Sequence, residues 1–252
     1  MFLCSACGTG RAHPTPTDEA LDRYYRSDHF EEVEGSSLSL GTTLWDLGPA
    51  RAAAQVRAVS RWSSHRGSWL DIGAGYGFLL DAARSEEWST AGTEPGPSRG
   101  DSISNRGHQL YDSLSHVEGK WDVISLSHLL EHVIDPVGLL RTIRSLLTPS
   151  GLLFCEVPND SPGAVSLRPA DEPHVVFFSE TGLSKCAQNA GFSAQMVTTA
   201  GRRRTQSGRS LRDAAIRLGQ RVLPDSTVPR LHWTFQEGAD RIWIRAIFAP
   251  VW

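Results

Sequence analysis

The stretch Leu70-Asp71-Ile72-Gly73-Ala74-Gly75-Tyr76-Gly77 restricts the fold of this chain more than any other. An apolar strand pattern runs into three alternating glycines, and a helical pattern starts directly after them. Glycine tolerates positive φ and lets the backbone approach a ligand closely, while the start of the next helix offers unpaired N–H groups. Glu94 lies 23 residues after Asp71, at the end of the next strand pattern. An acid there can accept both ribose hydroxyl protons. A nicotinamide dehydrogenase fits less well, because its fingerprint has a third glycine where this chain has Phe78.

The remaining pattern also alternates. Ala52, Ala53, Val56 and Val59 predict a helix over 49–62, and strands are predicted at 68–72, 90–94, near 108–111 and at 121–127, with a helix over 78–87. Asp135-Pro136 is a helix start, a capping side chain followed by proline in the first turn. Leu140, Ile143 and Leu147 continue its apolar face until Pro149-Ser150-Gly151 stops it. A buried strand at 152–157, a helix over 179–190, a strand to about Thr199 and a closing strand at 241–249 complete the order. Strands alternating with helices predict an α/β domain over 45–252 around a parallel sheet. Before it stands a segment, 1–44, containing Cys4 and Cys7. Its first 17 residues read as irregular, 18–34 as a short helix or lid carrying Tyr24, Tyr25 and Phe30, and 35–43 as a Gly/Ser/Thr hinge.

Composition narrows the function classes. Hydrophobic residues make up 40% of the chain, enough to exclude intrinsic disorder, and no apolar run has the length of a membrane span. Met1–Thr9 lacks a basic start followed by an apolar stretch, so no secretory signal is expected. Four cysteines are too few for a disulfide scaffold, and a reducing, cytoplasmic location follows as the expectation. Residues 201–223 hold seven arginines against Asp213, a local +6 within a net charge of −3. A basic stripe on an acidic body argues against a nucleic-acid partner. Cys4-Ser5-Ala6-Cys7-Gly8 has the spacing of half a zinc ribbon, but tetrahedral zinc takes four ligands and a second such pair is absent, so no metal is assigned.

In order along residues 45–200, LDIGAGYG at 70–77, TEP at 93–95, WDVISLSHLLEHVIDP at 121–136, LLTPSGLLFCEVPN at 146–159 and HVVFFSETGL at 174–183 resemble the class I S-adenosylmethionine-dependent methyltransferases. The Leu-Glu-His-Val run and the Pro-Asn after the fifth strand are similar to the branch of ubiquinone-type O-methyltransferases and nucleotide-sugar C-methyltransferases. The resemblance implies a Rossmann-like, seven-stranded, mostly parallel sheet with helices on both faces and an antiparallel last strand, with residues 200–235 as a basic helical insertion before that strand. It implies S-adenosylmethionine as cofactor. The methionine part would fall to Asp71, Gly73, Ala74, Gly75 and Gly77, and the ribose to Glu94. Pro95 and Tyr25 would also meet the cofactor, Asp112 and Ser113 would flank the adenine, and Ser127 and His128 would line the reacting methyl.

The same resemblance implies a small-molecule acceptor. Methyl transfer needs the acceptor aligned and often deprotonated, a task suited to histidine near neutral pH. In nucleotide-sugar C-methyltransferases a Tyr-x-Glu-His run before an aromatic-Phe-Ser sequence supplies the base. Phe177-Phe178-Ser179 matches here, His174 takes the histidine position, and Asp171 and Pro173 replace the Tyr and Glu. His128, Glu131 and His132, at i, i+3 and i+4, would share one helical face. They are candidate catalytic residues read as bracing the loop rather than as metal ligands. The arginine-rich stretch reads as an amphipathic helix over 209–223 covering the acceptor pocket; a weak peripheral membrane contact or a clamp for a phosphorylated acceptor are alternatives. Oxygen is the expected nucleophile, with sugar carbon or amine second. A non-catalytic cofactor-binding relative is the alternative of a different class.

Overall fold

The protein is described from a computed structural model, which describes residues 1–25, 44–159, 174–204, 233–237 and 242–252. The hinge at 35–43, Phe30, Asp171, Pro173 and the helix expected over 209–223 lie outside the described residues. In chain order the elements are β1 (Phe2–Leu3), β2 (Gly10–Arg11), α1 (Asp18–Tyr25), α2 (Leu44–Ser60), β3 (Ser68–Ile72), α3 (Phe78–Ser85), β4 (Ser89–Thr93), α4 (Pro97–Asn105), β5 (Gln109–Tyr111) and β6 (Trp121–Ser127). Then follow α5 (Pro136–Leu146), β7 (Leu147–Pro158), β8 (Val176–Phe177), α6 (Glu180–Asn189), β9 (Phe192–Arg204), β10 (Trp233–Glu237) and β11 (Trp243–Pro250).

The main sheet has the order β10-β9-β11-β7-β6-β3-β4-β5. β3, β4, β5, β6 and β7 run parallel to their neighbours, and β11 lies antiparallel between β7 and β9. This is the expected seven-stranded sheet with an antiparallel last strand, extended by β10 on its edge. Both ends of the segment expected to be helical at 200–235 are strand, since β9 runs on through Arg204 and β10 occupies 233–237. Those two strands pair with each other, so the backbone groups at the ends of the insertion are satisfied by the sheet.

Alternation along the central strands builds two cores, because both faces of the sheet are covered. Leu70, Ile124, Leu126, Leu153 and Cys155 face α5 and α6, packing with Leu140, Ile143, Leu183 and Ala187. Trp69, Val123 and Phe154 face the other way, onto Val56 and Val59 of α2 and Leu79 and Ala83 of α3. Strand order reverses between β3 and β6, which opens a crevice at the carboxyl ends of these strands.

Two local structures depart from the sequence reading. Pro97–Asn105 forms a helix that its polar sequence does not signal; Pro97 opens it, and fully buried Ile103 holds it against Ala74 and Leu80. The first residues, expected to be irregular, form a hairpin in which β2 pairs with both β1 and β8. Ala12 N–H donates to the Val175 carbonyl at 2.9 Å and Arg11 to the Ile134 carbonyl at 2.9 Å, so the N-terminal segment is stitched beside the loop carrying His174. Among the described residues no helix is long and apolar enough to cross a membrane.

Candidate functional site

The glycine turn sits at the reversal of strand order. Gly73, Gly75 and Gly77 all have positive φ, at 71°, 54° and 77°. The N–H groups of Gly73 and Ala74 both donate to the Thr93 carbonyl at 2.9 Å, which ties the turn to the end of β4. A Cβ on Gly75 would meet nothing within 4 Å, so the middle of the turn borders open space. Gly92 supports this arrangement from behind: a Cβ there would come within 3.0 Å of both Ala74 and Leu80.

Glu94 is buried beside the turn. Its Oε2 accepts the Gly75 N–H at 2.9 Å, and its Oε1 accepts the Gly96 N–H at 2.8 Å and Arg99 Nε at 3.0 Å. A carboxylate oxygen has two lone pairs, so Oε2 keeps capacity for a further donor such as a ribose hydroxyl. Asp71 lies beneath the turn, fully buried, and accepts Ser125 Oγ–H at 2.5 Å. Burial raises its pKa to about 7, against the Ser125 hydrogen bond and Arg51, with the Glu94 charge adding to the rise. Pro95 is exposed next to Glu94, while Asp112 and Ser113 follow β5 at the same end of the sheet, Asp112 exposed and Ser113 half-buried. Tyr25 ends α1, and its side chain lies outside what is described.

At the end of β6 the chain turns through His128, whose φ of 55° is unusual for a residue with a side chain. Its N–H donates to the Glu156 carbonyl at 2.8 Å. Its Nδ1 lies 3.3 Å from Glu131 Oε1 and its Nε2 lies 3.8 Å from Glu156 Oε1. Burial and Arg51 press the imidazole toward neutral, but the two carboxylates outweigh them and raise its pKa. Glu131 moves the other way: despite burial, His128 and His132 lower its pKa to about 2.

Leu130–His132 is a 3-10 turn, not a stretch of α-helix, so His128, Glu131 and His132 do not form the expected helical face. His174 converges with this turn instead. Its ring packs edge-on against His132 with centroids 4.7 Å apart, and Val175 N–H donates to the Glu131 carbonyl at 2.8 Å. Ligand atoms of Glu131, His132 and His174 lie within 4.8 Å of one another. Neither Glu131 oxygen accepts a hydrogen bond of good geometry among the described residues. Two imidazoles and a carboxylate could hold a borderline divalent ion such as zinc.

A buried ionic network went unread in the sequence. Glu156 on β7 accepts Arg51 Nε and Gln55 Nε2, each at 2.8 Å, and Arg245 Nε at 2.8 Å. Arg245 and Glu156 are direct cross-strand partners on β11 and β7. Arg51 also reaches Ser127 Oγ at 3.2 Å and stacks on Trp243, its guanidinium carbon 4.7 Å from the ring centroid. The signal was present, since Glu156 and Arg245 each interrupt an apolar strand and a buried charge needs a partner.

A family model described as "Methyltransferase domain" matches residues 45–197. The ubiquinone biosynthesis O-methyltransferase of Xanthomonas axonopodis pv. citri is 28% identical over 161 residues, 56% of this chain and 67% of that protein. The enzyme of the same name from Pseudomonas aeruginosa strain LESB58 is 28% identical over 106 residues, 38% of this chain and 46% of that protein. Among solved structures, the Burkholderia thailandensis 1,6-didemethyltoxoflavin-N1-methyltransferase superposes with a TM-score of 0.60 at 16% identity, covering 100% of this chain and 98% of that one. Magnesium protoporphyrin IX methyltransferase from Synechocystis PCC 6803 gives 0.59 at 13% identity, covering 93% and 100%. At such identities the structures establish the fold.

Proposed function

This chain belongs to the methyltransferase-domain family, and from that premise we propose that it methylates a hydroxyl oxygen of a small molecule such as a phenol, a sugar or a natural-product intermediate. Its cofactor is S-adenosylmethionine, which supplies an activated methyl group and a sulfide leaving group. Gly73, Ala74, Gly75 and Gly77 take the methionine part, with Asp71 shaping the turn beneath them. The open space at Gly75 fits that role, as does the spare capacity of Glu94 Oε2 for a ribose hydroxyl. Asp112 and Ser113 flank the adenine. Arg51, held by Glu156 and Trp243, presents its remaining N–H groups beside Ser127 and suits the cofactor's carboxylate.

His174 is the base. It is buried, and its ring packs edge-on against His132 beside Glu131. That placement carries the reading, since removing a hydroxyl proton needs a group that titrates near neutral pH. The names of the curated relatives favour oxygen as the nucleophile. His128, Glu131 and His132 brace the loop and orient His174, and no metal is required for the transfer. Isotope-labelled S-adenosylmethionine offered with a panel of phenols, catechols, sugar hydroxyls and amines tests the assignment. An O-methyl product by NMR is expected; label found only on carbon or nitrogen would overturn it in favour of C- or N-methylation.

A further inference from the structure

Arg99 is a buried cation on a short helix of mostly polar sequence. It lies on α4, 4% exposed, and its Nε meets Glu94 Oε1 at 3.0 Å. Replacing a buried ion pair by apolar residues of similar volume often leaves a fold as stable or more so, because both ions lose their hydration on burial. A pair kept in such a place points to a task other than stability.

Helix α4 is seated so that this cation reaches the cofactor side of the sheet. Arg99 and Ile103 stand four residues apart and share one face of the helix. Ile103 packs on Ala74 and Leu80, behind the glycine turn, and Arg99, one turn earlier, meets the acid that follows β4. The backbone is shaped around the pair. Gly96 caps the helix with a φ of −76°, a conformation open to any residue, so its backbone does not call for glycine. Space does: a Cβ there would stand 2.7 Å from Arg99 Nη2 and 2.9 Å from both Arg99 Nε and Glu94 Oε1.

The lone pairs of Glu94 can then be assigned. Oε1 accepts Gly96 N–H at 2.8 Å and Arg99 Nε–H at 3.0 Å, which occupies both of its lone pairs. Oε2 accepts Gly75 N–H at 2.9 Å and keeps one. The carboxylate cannot turn without giving up a donor, and its remaining acceptor site lies on the oxygen beside the glycine turn.

We propose that Arg99 is a positioning residue for the cofactor: it locks the Glu94 carboxylate so that Oε2 stays turned to the ribose hydroxyls. The inference rests on the reading of Glu94 as the ribose carboxylate. Without the guanidinium, Oε1 would keep only the Gly96 N–H, and Oε2 could swing away from the ribose. A lysine would restore the charge as a point, without the planar fork that fixes direction.

The test is calorimetric titration of the full-length chain with S-adenosylhomocysteine and with its 2′,3′-dideoxy analogue, which lacks both ribose hydroxyls. The parent should favour the natural ligand by about tenfold or more. Arg99→Met fills similar space without charge, and should reduce that preference to about threefold or less while affinity for the dideoxy analogue stays within about threefold. Arg99→Lys should fall between the two. A methionine variant that loses affinity for both ligands equally and keeps the parent's preference would overturn the proposal, since Arg99 would then be a countercharge for folding alone. If denaturation curves show the methionine variant unfolded, the lysine variant decides: a preference within about twofold of the parent's overturns the proposal. A parent that binds both ligands equally would remove the ribose role of Glu94 itself, and the positioning role with it.

Discussion

Replacing Glu94 by glutamine keeps the side chain's shape and removes its charge, which separates the two tasks assigned to this residue. In the folded chain the carboxylate accepts Gly75 N–H, Gly96 N–H and Arg99 Nε. A glutamine can accept at one oxygen only, so at least one of these donors would face an amide NH₂ group. Arg99 is as buried as its partner, and removing one member of a buried pair typically costs about 3–5 kcal/mol of stability. Binding carries a separate loss. A ribose hydroxyl donating to the charged Oε2 makes a charge-assisted hydrogen bond, worth about 1.5–3 kcal/mol. That is roughly 10- to 150-fold in affinity for S-adenosylhomocysteine. Calorimetric titration at a temperature where denaturation curves show the variant folded reads the second loss free of the first. A folded variant that binds within about twofold of the parent would refute the ribose role, leaving Glu94 as the carboxylate that holds the glycine turn to Arg99.

Other outcomes follow from the same geometry. Gly75→Ala should cost about 1–2 kcal/mol of stability through its positive φ, yet weaken cofactor binding by more, because the new methyl enters the open space of the turn; equal losses in a denaturation curve and a titration would contradict that. Glu156→Gln should destabilise the chain by about 3–5 kcal/mol, since Arg245 would be left buried without its countercharge, and urea unfolding measures it. Asp71, raised to about 7 by burial, favours the fold below the carboxylate range near pH 4 and opposes it as the pH climbs toward 7. Asp71→Asn should therefore gain stability relative to the parent over that interval, and a constant difference across it would dismiss the linkage. Glu131 behaves oppositely, its contribution present above about pH 4.5 and lost as the pH falls toward 2. Turnover should persist in EDTA; loss restored by a divalent ion would make Glu131, His132 and His174 a metal site.

How much of this was legible in the sequence depends on how local each signal is. Trp121–Ser127 and the capped start at Asp135-Pro136 were readable because strand period and cap chemistry operate within a few residues. The glycine turn and Glu94 were readable for the same reason, with spacing carrying the link between them. Pro97–Asn105 was not, because its helix is held by Ile103 packing on Ala74 and Leu80 rather than by propensity. Nor were β1 and β2, two residues each, because β2 pairs with β8, a segment over 160 positions away. The convergence of His174 on Glu131 and His132 depends on a 3-10 turn that periodicity does not distinguish from a helix. Arg51 escaped notice because its partners, Glu156 and Trp243, come from β7 and β11.

The central claim is that His174 removes the acceptor's proton. The most direct measurement is the turnover of His174→Ala at saturating acceptor and cofactor, followed across pH beside the parent. The parent rate should rise with pH through one ionisation in the imidazole range and then level. The variant should hold cofactor affinity, lose roughly 10²–10⁴-fold in turnover and lose that ionisation from its profile. A variant that keeps most of its turnover, with the same pH dependence as the parent, would show that the acceptor needs only alignment and that His174 is not the base.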